Sequence, residues 1–130
     1  MIEHVRRVLA QRMATWTRTP IAWPGGKLLD PKDAPWVRYS MDFRSRHIPS
    51  TPRDTTRVID GVVAIQVFTP IGGHDGECFR LAEHAGALFS GFSKDGVRCL
   101  EPEAPKIVGD EGHGWFQINV VIPFRARRAA

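Results

Sequence analysis

The run GVVAIQVF at residues 61–68 constrains this chain more than any other stretch. Its β-branched residues lose side-chain freedom in a helix and pack well on a pleated surface. Gln66 is its one polar side chain, so both faces of the segment are apolar. A strand of that kind belongs in the interior of a sheet, and the pattern predicts it over Val58–Phe68. Two other stretches have the strand period of two. In Trp36–Phe43, Val37, Tyr39, Met41 and Phe43 alternate with Trp36, Arg38, Ser40 and Asp42. In Trp115–Phe124, Phe116, Ile118, Val120, Ile122 and Phe124 share one face. Pro123 lacks a backbone donor, which predicts the end of that strand or an edge for it.

Two stretches have the helical period instead. Ile2, Val5, Val8, Leu9, Met13 and Trp16 follow the i, i+3, i+4 rhythm, predicting a helix over 2–16 that stops before Pro20. Cys78, Leu81, Ala82, Ala85, Leu88, Phe89 and Phe92 predict a second over 76–92, with Asp75 as its N-cap. Four prolines and a Gly-Gly pair in residues 20–35 exclude helix and central strand. That connection has room for a short extended piece at Ile21–Trp23, with Trp23, Leu28 and Leu29 pinning it down. RSRHIPSTPRDTTR, residues 44–57, reads as a polar loop, mobile in a lone protomer and ordered by a neighbour. SKDG at 93–96 and GDEGHG at 109–114 read as turns, with weak strands near Val97–Leu100 and Ile107–Val108.

The order α, β, β, α, β, β with hairpin-like strand pairs predicts an α+β fold. It is a mixed, mainly antiparallel sheet of about four to five strands with two helices packed on one face. At 130 residues the chain is expected to be a single domain, 1–130, with a disordered C-terminus at 126–130. No apolar run approaches the ~18 residues of a membrane helix, so no membrane partner is expected. The N-terminal stretch has no apolar core of a secretory signal. Two cysteines exclude a disulfide scaffold.

Charge is unevenly distributed. Residues 1–57 hold 11 basic and 5 acidic side chains, a net +6, and residues 58–124 hold 4 and 9, a net −5. The tail adds Arg125, Arg127 and Arg128. Such a split suits a polyanion partner or the meeting of unlike faces of identical copies, a heterologous contact that can close into a ring. The excess of arginine over lysine, 14 to 4, is also what a GC-rich coding sequence produces.

No catalytic, cofactor or metal site is expected. His4, His47, His74, His84 and His113 show no ligand spacing, and Cys78 and Cys99 form no C-x-x-C. No G-x-S-x-G surrounds any serine. Gly72–Gly76 before a helix resembles an anion cradle, but Asp75 and Glu77 put negative charge where a phosphate would sit, which favours a plain strand-to-helix turn. The arginines of 44–57, Arg6, Arg7 and Arg12, and the tail arginines leave open a sequence-independent nucleic-acid-binding module, with tryptophans as stacking platforms. A small hydrolase is a more distant alternative. The first would show a continuous arginine-lined face with exposed tryptophan, the second a concave pocket holding His47, His74 or His113.

The features in chain order resemble the tail terminator proteins of long-tailed bacteriophages, the lambda-type group and its prophage relatives. They are the helix Ile2–Trp16, the proline-containing connection at Pro20–Pro24, the strand WVRYSMDF and the polar loop after it. Then come Gly61 to Gly73 with Val67-Phe68-Thr-Pro70, a helix ending LFSGF, and the closing GWFQINVVIPFRAR. The resemblance covers about residues 2 to 126. It implies a structural protein with no enzymatic activity and no cofactor. It also implies a homo-hexameric ring that stops tail-tube polymerisation and joins tail to head. The implied partners are further copies of itself, the tail tube protein and head-completion proteins, with DNA passing through the lumen. The implied location is the virion tail, after synthesis in the bacterial host cytoplasm. Arg44, Arg46 and His47 are the candidate contacts, facing either an acidic patch of a neighbour within residues 75–111 or DNA in the lumen.

Overall fold

A computed structural model describes residues 1–27, 33–47, 56–72, 75–110 and 112–129. The elements are α1 (Ile2–Met13), β1 (Ile21–Ala22), β2 (Trp36–His47), β3 (Thr56–Pro70), α2 (Gly76–Phe89), β4 (Ser93–Lys94), β5 (Val97–Cys99), β6 (Lys106–Asp110) and β7 (Trp115–Ala129). The seven strands make one sheet in the order β1-β2-β3-β7-β5-β4, with β6 also on β7. β1 runs parallel to β2 and every other pairing is antiparallel. The α+β class and the mixed sheet stand. The sheet exceeds the expected four to five strands because β1 and β4 have two residues each and show no period of their own.

The apolar run at 61–68 lies where its two apolar faces require, in β3 between β2 and β7. One face of the sheet presents Val37, Tyr39, Val63, Ile65, Val67, Ile118, Val120, Ile122 and Phe124, all buried. Both helices bury their stripes in the same core, Val5, Val8, Leu9 and Met13 from α1 and Cys78, Leu81, Ala82, Ala85 and Phe89 from α2. Each fully buried valine, leucine, methionine or phenylalanine among them contributes about 1.5–3 kcal/mol. The helices also hold each other. Arg12 of α1 donates from Nε to the Leu88 carbonyl at 2.7 Å, satisfying one of the last carbonyls of α2, and its guanidinium lies 4.9 Å from the Phe92 ring centre. No basic residue of α2 itself lies in its last turn. No described helix is long and apolar enough to cross a membrane.

Several boundaries move. α1 ends at Met13, and Trp16 reaches the core from a tight turn in which its N–H donates to the Met13 carbonyl at 2.9 Å. α2 ends at Phe89, and Asp75 occupies the N-cap position without a side-chain capping bond. β2 and β3 run further than their apolar patterns, so residues 44–47 and 56–57, read as polar loop, are strand. The mobility expected of that loop falls on residues 48–55, outside the described residues, as do Leu28 and Leu29. β7 continues to Ala129, five residues beyond the strand end expected at Phe124. Its inward alternation runs past Phe124 to Ala126, which is 2% exposed.

Pro123 sits mid-strand in β7, in register with Val62, and not at an end or edge. Its carbonyl accepts from the Leu100 N–H at 2.8 Å, on the side away from β3. The absent N–H points to that same side, where the chain between β5 and β6 leaves the ladder, so β3 loses no bond.

Gly61 is required by a close approach. It lies opposite Phe43 at a β-bulge between Phe43 and Ser45, and opposite Phe124 in β7. A Cβ there would come within 2.2 Å of the Asp42 carbonyl oxygen and 2.5 Å of the Phe124 ring. The edge-on Phe43–Phe124 pair, 6.1 Å between centroids, closes over the space. Gly61→Ala therefore overpacks the centre of the sheet and destabilises by about 1–3 kcal/mol. Thermal melts of the two proteins measure this, and an unchanged midpoint refutes it.

Candidate assembly surface

The bulge and the extended β2 decide where the candidate contacts stand. Arg44 is the extra residue of the bulge, and Arg46 is in register with Ile59. Both are exposed. His47 closes β2, in register with Val58, and its side chain is outside the described set. No described carboxylate pairs with Arg44 or Arg46. Asp60, the acid closest in register, accepts from Arg125 Nε at 2.7 Å and Nη2 at 3.3 Å, and Ser45 Oγ is 3.4 Å from it. Hydrogen bonding to Asp60 holds Arg125 more firmly in its charged form.

The ladder adds partners that sequence distance concealed. Arg57 is in register with Arg128, and Val58 with Arg127. The exposed Arg44, Arg46, Arg57, Arg125 and Arg127 thus gather at one end of the β2–β3–β7 ribbon. Continued alternation from Phe124 to Ala126 was a usable signal for the tail. For Arg44 to His47, which contain no apolar residue, there was none.

The opposite flank carries exposed Lys94, Arg98 and Lys106 on its short strands, and beside them an acidic groove. The segment from Glu101 to Pro105 runs beside α2, and a Cβ on Gly86 would stand 3.4 Å from Pro102. Between them lies a groove of about 640 Å³ with Ala82, Gly86 and Val120 in its floor and Glu83, Glu101 and Glu103 on its rim. Ser90 Oγ donates to Glu101 at 3.2 Å, and no described cation pairs with any of the three. At the start of α2, Asp75 and Asp110 line a small recess of about 130 Å³ with Ile71 and Phe116. Two carboxylates there suit a turn and not a phosphate cradle.

Among the described residues, the features that would mark the rival readings are not brought together. His4, His84 and His113 lie on α1, on α2 and in the β6–β7 turn, and His74 is outside the described residues. No group of metal-binding side chains forms among the described residues. Cys78 is buried, its Sγ 3.7 Å from the Val67 carbonyl, and burial raises its thiol pKa. Burial pushes Cys99 up to about 11. Neither is a thiolate nucleophile at neutral pH. The tryptophans do not lie beside the arginine cluster, since Trp36 and Trp115 begin β2 and β7 at the ends away from Arg44, Arg46 and the tail. Trp16 and Trp36 are buried, and Trp36 stacks on Phe68 at 4.2 Å beneath Arg38. Trp23, the most exposed, sets its edge against Tyr39 at 5.3 Å.

The described charges thus form a basic end on β2, β3 and β7 and a separate acidic groove beside α2. The family model for phage tail terminator proteins matches residues 4–124, and the chain belongs to that family. It is a structural family and not a family of enzymes, and its place is the phage tail. A solved structure of 18% identity superposes with a TM-score of 0.70, covering 97% of this chain and 95% of that one, and shares the fold. Among curated proteins none matches.

The buried ionisable groups make stability fall in alkali. Burial raises the pKa of Tyr39 and Cys99 above that of the unfolded chain, so the native state keeps protons that the unfolded state has released. Their contribution is complete below pH about 9 and is lost as pH rises through the native values. Denaturant midpoints between pH 7 and 11 should fall above pH about 9, and less steeply in Cys99→Val. Constant midpoints across the range contradict it.

Proposed function

We propose that this protein ends the phage tail as a closed homo-oligomeric ring, a hexamer, that caps the tail tube and joins the tail to the head. The family match over residues 4–124 carries the reading. The fold supports it, because a basic end and an acidic groove stand apart on the same sheet, two unlike patches of the kind a heterologous contact joins. In this reading the partners are further copies of the chain, the tail tube protein below and a head-completion protein above. DNA passes through the lumen. Arg44, Arg46 and His47 face a negative surface, either a neighbour's acidic side or that DNA. Apolar contacts hold the ring and charge orients it, since an exposed ion pair contributes only ~0–1 kcal/mol.

The test is mass measurement over a concentration series, with and without isolated tail tubes, alongside complementation of a phage lacking the gene. The expected results are a discrete closed oligomer and restored joining of tails of normal length. A chain that stays monomeric, fails to bind tube ends and leaves tail length unaffected overturns the reading. Association should weaken from 0.1 to 1 M salt, as the screening length falls from ~10 to ~3 Å.

A further inference from the structure

We infer that the ring contact is made by the β2 end of one copy, carrying Arg44 and Arg46, seated in the groove between α2 and residues 101–105 of the next copy. The inference rests on the ring reading and names the surfaces that meet.

Three observations select this occupant. The groove has an apolar floor, Ala82, Gly86 and Val120, and a rim of three glutamates without a described cation. Such a shape fits an extended segment that bears cations and some apolar surface. The β2 end is that segment. β1 pairs with β2 only at Val37 and Arg38, and among the described residues the outer side of β2 beyond them has no partner. Met41 and Phe43 are half-buried there and pack on the core margin, and exposed Arg44 and Arg46 follow. Charged residues on a free edge discourage indiscriminate strand pairing while admitting a complementary surface.

The groove and this segment do not meet within one copy. β3 and β7 separate β2 from the groove side of the sheet, about 14 Å at the usual strand spacing. Along β7 the groove lies level with Val120, whereas Arg46 lies level with Ala126 through Ile59, a further ~20 Å. Both surfaces are therefore open at once in every copy. A segment that fills the next copy's groove leaves its own groove for a third, which is how a heterologous contact propagates and closes. DNA as the target of these arginines is the competing outcome, since it leaves the glutamate rim unanswered.

The experiment uses two full-length variants with reversed charge, Arg44→Glu/Arg46→Glu and Glu83→Arg/Glu103→Arg. Thermal melts near the wild-type midpoint show that each is folded. Each alone should associate at least about tenfold more weakly than wild type, because like charges then face each other. Mixed one to one, they should recover association, since each reversed side now meets its complement. Native mass spectrometry with one variant isotope-labelled should show the two alternating. Wild-type rings together with single variants that assemble equally well overturn this contact and leave the ring standing. So does a mixture that fails to recover. If Arg44→Glu/Arg46→Glu assembles normally but no longer supports DNA passage, the arginines face DNA and the contact is wrong. A wild type that forms no ring alone or on tail tubes overturns the ring reading, and this contact with it.

Discussion

Fifteen consecutive residue pairs join β3 to β7, from Thr56 opposite Ala129 to Pro70 opposite Trp115. The rest of the molecule is arranged around that ladder. It aligns the inward side chains Val63, Ile65 and Val67 with Ile122, Val120 and Ile118, which form the floor on which both helices pack. It places β2 on one flank and the shorter strands β5 and β6 on the other. A slip of one residue would turn every inward side chain outward, so the burial of one face defines the register.

The strain of curving so long a ribbon is met at few places. The bulge beside Phe43 lets β2 follow β3 beyond Gly61, and Gly61 leaves room for the Phe124 ring. At the other flank β7 exchanges β6 for β5 as its neighbour, and Pro123 lies at the gap. Each breaks a local rule for strands, and Pro123 does so on the side where β3 has no bond to lose. The outer face carries no described helix. Its aromatic end is closed by its own side chains, with Arg38 over the stacked Trp36 and Phe68 rings.

The same ladder turns a linear charge pattern into a spatial one. The basic N-terminal half contributes β2, and the acidic second half contributes α2 and the segment before β6. Two strands stand between them. The basic tail returns alongside β3 and joins the basic side, because β7 runs antiparallel to β3 past Phe124. A tail that adds to the count of positive charge in sequence thereby becomes part of one localised surface.

The sequence by itself determined the two helices, the three long strands, the central position of β3 and the absence of ligand spacing. Apolar periodicity is a local property, and these elements bury enough of their own side chains to display it. Tertiary structure decided the short strands, since the two residues of β1 or β4 become strand only beside a partner. It decided that Arg44–His47 and Arg125–Ala129 are strand, because polar residues there are held by the ladder and not by a buried stripe. The acidic groove was likewise invisible. Glu83 and Glu103 are 20 positions apart in the chain and share a rim only because the segment from Glu101 to Pro105 packs beside α2. Period fixes which face of an element is buried, but only the packing of one element on another determines which exposed charges become neighbours.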